Sequence, residues 1–178
     1  MPNPVISRPA PGEHDPYYGR YIALVPEGDI FTILQQQLAP TLASLRGISE
    51  AQSLTRYEAG KWSIKEVLGH LCDAERIMSY RALRIGRGDQ TPIPGFEQDD
   101  YINGANFDAR PWLDFIGEFE VIRAATLALF HGFETAATER LGTANNAVVS
   151  VRALAYIIAG HERHHMNIVR ERYLPKLK

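Results

Sequence analysis

Near one end of the chain stands His161-Glu162-Arg163-His164-His165, the stretch whose residue types most plainly permit chemistry. His161 and His165 are four apart, a spacing that on a helix puts both imidazoles on one face, one turn apart and close enough to chelate a single ion. The preceding run, Ser150-Val-Arg-Ala-Leu-Ala-Tyr-Ile-Ile-Ala-Gly, has a helical pattern. On it Leu154, Ile158, His161, His165, Ile168 and Val169 form one stripe, so the histidines continue an apolar face. Unpaired polar groups on such a face cost on the order of 1–3 kcal/mol, and a shared metal ion would satisfy both. The alternative is a pair of core histidines bonded to carbonyls or carboxylates.

An open catalytic site of the zinc type takes three protein ligands. By pattern the third is His70, on an inward stripe with Val67, Ala74 and Ile77. His14 lies in a proline-rich segment, His131 is expected at a helix end, and His164 reads as solvent-facing or as a support for its neighbours. Cys72 is rotated about 200° from His70 and reads as a small buried residue. The stretch also fits the His-Glu-x-x-His pattern of metallopeptidases, with Glu162 as general base. Such enzymes need a later third ligand and a sheet beside the helix. Only residues 166–178 follow, and no strand pattern is evident, so Glu162 is expected on the helix surface or as an orienting group.

Four helices must position these side chains. The first is expected over Glu27–Leu45, with Pro40 kinking it or removing one hydrogen bond. The second starts at a Ser63–Glu66 capping box and runs to about Arg84, with Gly86 and Gly88 ending it. Pro111–Phe130 forms the third and Val151–Tyr173, capped by Ser150, the fourth. Helices of about twenty residues define an all-α four-helix bundle. The long connection from Arg87 to Arg110 allows the second and third helices to run parallel, and links of that length are usually functional. Residues 1–22, rich in proline and tyrosine, are expected to form an extended amino-terminal arm on a bundle domain spanning 23–178.

Composition excludes several classes. A net charge of −2 offers no basic excess for nucleic acid. No apolar run reaches the length of a membrane span, and the first twenty-five residues lack a signal-peptide core. One cysteine fits a reducing compartment, so a cytoplasmic location is expected.

With these helices and histidines in place, the chain resembles the DinB/YfiT-like superfamily of metalloenzymes. The resemblance runs from Tyr17 to Leu174. It rests on Gly60-Lys-Trp-Ser-Ile-Lys-Glu-Val-Leu-Gly-His-Leu, on Thr91-Pro-Ile-Pro-Gly-Phe, and on Val151 through His165. It implies an up-down-down-up bundle with a divalent metal, Zn²⁺ or Ni²⁺ by ligand type, held by His70, His161 and His165. It further implies a small-molecule substrate, with thiol-dependent S-transfer from a low-molecular-weight thiol as the leading activity. The alternatives are a metal-dependent hydrolase and a non-catalytic metal-binding or regulatory bundle. The pocket wall is expected to include Tyr80, Phe96, Tyr101 and Trp112, with Asp73, Glu75, Asp99 and Asp100 as supporting carboxylates. A homodimer is expected too, because Phe115, Ile116, Phe119, Val121 and Ile122 spread apolar surface around the third helix.

Overall fold

The computed structural model describes residues 4–177; residues 1–3, where the predicted arm begins, and Lys178 lie outside them. Among the described residues eight α-helices and one hairpin follow in order: α1 (Pro16–Ile22), α2 (Ile30–Arg46), α3 (Glu50–Ser53), α4 (Ile64–Gly86), α5 (Gln98–Ala105), α6 (Trp112–His131), α7 (Thr135–Thr138), β1 (Leu141–Ala144), β2 (Ala147–Ser150) and α8 (Val151–Ile168). The four long helices α2, α4, α6 and α8 make the bundle.

Local chemistry sets their boundaries. Asp29 caps α2 by accepting from the Thr32 amide. Ser63 and Glu66 form the reciprocal box at the start of α4, and the Ser150 hydroxyl accepts from the Ala153 amide to start α8. Pro40 sits inside α2 without ending it; its missing N–H forfeits one helical bond, which packing on both sides outweighs. Beyond Ile168 the helix widens into a π turn over Val169–Tyr173.

Cross-helix pairs fix the direction of each helix. Along α4 and α6, Arg76 meets Glu118, Ser79 meets Thr126, and Gly86 abuts Phe133 just past α6, so the two run parallel. Phe31 stacks on His131 while the Trp112 indole donates to the Leu45 carbonyl, so α2 and α6 are antiparallel. His70, near the start of α4, meets the later part of α8, and Ile85 at its end meets β1, whose partner β2 leads into α8. The order is up-down-down-up.

The hairpin was not visible as strand alternation. Each strand has four residues, and Asn145 and Asn146 both take positive φ, 53° and 60°, as a two-residue primed turn requires. The amino-terminal arm carries α1, which lies on α8; a Cβ on Gly160 would strike the Tyr21 carbonyl oxygen.

The core is split by chemistry. One apolar cluster gathers Ile30, Phe31 and Leu34 of α2 with Met78, Ala82 and Ile85 of α4 and Leu154 through Ala159 of α8. The other gathers Leu42, Leu45, Leu68, Leu71, Phe115, Phe119 and Met166. On every bundle helix the residues between the two clusters are polar and buried: Gln37 and Thr41, Glu75, Arg123 and Thr126, and Glu162. His161 adjoins Glu162 of this layer. Four of the five apolar residues expected to be surplus on α6, namely Phe115, Ile116, Phe119 and Ile122, are buried within the bundle, and Val121 alone of them is exposed.

Candidate metal centre

His70 comes from α4, and His161 and His165 from α8. Their ring nitrogens converge: His161 Nε2 lies 3.0 Å from His70 Nε2 and 3.1 Å from His165 Nε2. The three form a group that could hold a metal ion, and among the described residues it contains no fourth histidine, cysteine or carboxylate. Burial pushes the His70 imidazolium down to about 4. His161 and His165 fall well below the ordinary histidine value, first through burial and then through the neighbouring imidazoles. All three are therefore neutral at pH 7, the state in which imidazole donates a lone pair to a metal.

The two separations that include His161 fit a shared ion. Nitrogens held ~2.1 Å from one ion stand ~3.0 Å apart at right angles and ~3.4 Å apart at the tetrahedral angle. The alternative of mutual hydrogen bonding works less well. A neutral ring nitrogen either donates or accepts, so His161 Nε2 can satisfy one neighbour properly and not both. Aromatic neighbours hold the rings: the Tyr21 ring meets His161 edge-on at 5.2 Å, and Trp62 lies 5.0 Å from His70 and 6.5 Å from His165.

His70 and His161 open onto a cavity of about 460 Å³. Its wall draws on four regions: Asp15, Tyr17, Tyr18 and Tyr21 from the arm; Ala74, Met78 and Ile157 from the bundle; Phe96 to Asp99 from the long link; and Ala144, Asn145 and Ala147 from the hairpin. His165 is not part of that wall.

Of the wall residues read from sequence Phe96 is present, and of the supporting carboxylates Asp99 lines the wall. Tyr101 packs on Phe96 at 5.2 Å without lining the cavity. Trp112 is buried in the core, because its indole N–H finds the Leu45 carbonyl there. Tyr80 stands on the outer face of α4 beside Arg84, half exposed. Asp73 is half-buried near Arg76, its carboxyl raised chiefly by burial, and Asp100 is exposed. The other histidines stay apart: His14 Nδ1 bonds the Asp15 carbonyl, His131 stacks on Phe31, and His164 packs against Tyr21. Cys72 is buried in the apolar core with its thiol pushed up by burial, and it lies outside the histidine group.

Glu162 is not on the helix surface. It is 2 % exposed, accepts from Thr41 Oγ1 at 2.7 Å and from Gln37 Nε2, and pairs with Arg123 at 2.8 Å. Arg123 in turn holds Glu75 through two bonds of 2.8 Å. A carboxylate this deeply buried and held by three partners is poorly placed to take a proton from a reacting water. The wall residues that sequence reasoning missed include all those of the arm and hairpin; the Asn145-Asn146 pair was the available turn signal, whereas nothing local told that the arm tyrosines face the histidines.

The chain is a helical bundle with a parallel pair of helices and three converging imidazoles that could hold a metal ion, two of them lining a cavity. The profile of the DinB superfamily matches residues 33–169, and the chain belongs to that superfamily. Among solved structures it is similar to YfiT from Bacillus subtilis, described as a probable metal-dependent hydrolase with an unusual four-helix bundle topology. The likeness has a TM-score of 0.67 at 13% identity and covers 92% of each chain, which shows a shared fold. Among curated protein sequences, none matches the chain significantly.

Proposed function

We propose that this protein is a metal-dependent enzyme that transfers a small thiol to a small electrophile. The observation that carries the reading is the convergence of three neutral imidazole nitrogens, with no fourth histidine, cysteine or carboxylate in the group among the described residues, beside an open cavity. Structural metal sites normally close with four protein ligands, whereas catalytic ones leave a position open. His70, His161 and His165 would hold the ion, with Zn²⁺ and Ni²⁺ suited to an all-imidazole set. When bound, a divalent ion would lower the pKa of a thiol or water docked next to it and so supply a nucleophile at neutral pH.

The chain's own residues do the rest. Tyr21 and Trp62 fix the imidazole planes, so little ordering remains when a ligand arrives. Tyr17, Tyr18 and Phe96 narrow the cavity to small-molecule size and shield it from bulk water. Carboxylates of Asp15, Glu97 and Asp99 in the wall can accept the proton that a thiol gives up. A small-molecule hydrolase is the second reading, favoured by the description of YfiT. Peptide hydrolysis is disfavoured by the burial and full pairing of Glu162.

The test is a screen of metal-loaded protein with low-molecular-weight thiols and small electrophiles, run beside a panel of small esters and amides. Thioether formation that disappears with a chelator and returns with metal is expected. Metal-dependent hydrolysis without any thiol transfer would replace the first reading with the second. A homodimer belongs to the same proposal and is checked by light scattering. A mass twice 20.0 kDa is expected, and a mass of 20.0 kDa would remove it.

A further inference from the structure

The polar layer between the two apolar clusters joins all four bundle helices through one side chain. Arg123 on α6 is fully buried. Its Nε and Nη2 donate to the two oxygens of Glu75 on α4, each at 2.8 Å. Nη2 also meets Glu162 Oε2 on α8 at 2.8 Å, and Nη1 donates to the Leu34 carbonyl on α2 at 3.1 Å. Glu162 is the direct neighbour of His161, and Glu75 lies five residues, ~7.5 Å of helix rise, beyond His70.

We propose that Arg123 is a positioning residue for the histidine set. By gripping Glu75 and Glu162 together it fixes α4 against α8, and with them the spacing between His70 and His161. The chemistry favours this role over simple stabilisation. Apolar contacts between helices tolerate sliding, whereas a planar guanidinium held by a fork of bonds accepts one register. Exchanging a buried ionic triad for apolar groups often leaves stability unchanged or higher, so the triad's contribution here is geometry. Thr41 and Gln37 complete the hold on Glu162 from α2. The glutamate of the His-Glu-x-x-His stretch thus serves as an anchor for the same turn of helix that carries the ligands.

The inference rests in part on the metal-site reading, and its test separates the two. Co²⁺ is the probe, bound to the full chain. R123K keeps the charge but loses the fork, and the triple variant E75Q/R123M/E162Q leaves no buried charge unpaired. Both should fold by circular dichroism and bind Co²⁺ at least tenfold more weakly, with altered visible absorption bands, the range seen when supports of metal ligands are removed. I85A, a core truncation at the far end of α4, should lose stability but keep Co²⁺ affinity within twofold. Wild-type affinity and spectrum in a folded R123K or triple variant would overturn the proposal, as would an equal loss in I85A. A crystal structure of metal-free R123K gives a metal-independent answer. The His70–His161 Nε2 separation should exceed the present 3.0 Å by more than about 0.5 Å. An unchanged separation overturns the positioning role, whereas failure of the wild-type protein to bind Co²⁺ would sink only the metal-site reading.

Discussion

Substituting Gly160 with alanine tests how the arm closes the cavity. In an open helix interior, Gly to Ala stabilises by about 0.5–1 kcal/mol, because alanine has less backbone freedom to lose. At Gly160 the added Cβ would meet the Tyr21 backbone, its carbonyl oxygen first, and no flexible side chain can swing away. Overpacking of that kind typically costs ~1–3 kcal/mol, more than the propensity gain, so the sign reverses. A net loss of ~1–2 kcal/mol in a chain of this size lowers Tm by roughly 2–8 °C. Gly117 on α6 supplies the control, since nothing lies within 4 Å of its Cβ position; there the same change should raise Tm. Differential scanning calorimetry on both variants gives the comparison. Trypsin cleavage after Arg20 should quicken in Gly160→Ala alone, because α1 must lift to admit the methyl. Should Gly160→Ala match Gly117→Ala in raising Tm, with unchanged proteolysis, the close packing of α1 on α8 is wrong.

Two further outcomes can be measured without knowing the substrate. The Arg152 guanidinium bonded to Glu13 holds that carboxyl down at about 2, against 4.5 ordinarily. A depressed acid stabilises above its unfolded pKa, so this tie between arm and α8 is complete above pH 4.5 and fades as pH falls towards 2. In Glu13→Gln, arm proteolysis measured across that range should be fast and nearly independent of pH; an unchanged wild-type profile would refute the tie. Glu162→Gln should cost roughly 1–3 kcal/mol in urea unfolding, since it weakens charged hydrogen bonds in a buried layer. As an anchor it should show its loss in metal affinity and keep its rate per metal-loaded molecule, whereas loss of a general base would remove about 10²–10⁴-fold even at saturating metal.

How much the chain disclosed before folding follows from the range of each signal. The Ser63 box, the Ser150 cap and the period of apolar residues are local, so all four bundle helices could be placed within a few residues. His161 and His165 were legible for the same reason, and the length of the link implied the parallel pairing that brings His70 to them. Contacts between distant segments left no such mark. Trp112 and Phe96 are both aromatic residues near the long link, yet one fills the core and the other lines the cavity, a difference set by the Leu45 carbonyl on another helix. Glu162 looked like a surface acid because its partner, Arg123, lies far away in sequence on a helix whose apolar residues gave no hint of an inward charge. The hairpin escaped because four-residue strands are too short to show alternation.

The central claim is that His70, His161 and His165 together hold one divalent ion. Its most direct test is elemental analysis of protein purified without a metal-affinity tag, wild type beside His161→Ala. His161 is the shared neighbour of the other two nitrogens, at 3.0 and 3.1 Å, so its removal leaves two ligands of the three. The account predicts about one equivalent of a divalent transition metal per wild-type chain and near none in the variant, as expected for a three-ligand site cut to two. Equal metal content in the two proteins, or a wild-type chain that takes up no divalent ion when offered one, would contradict it.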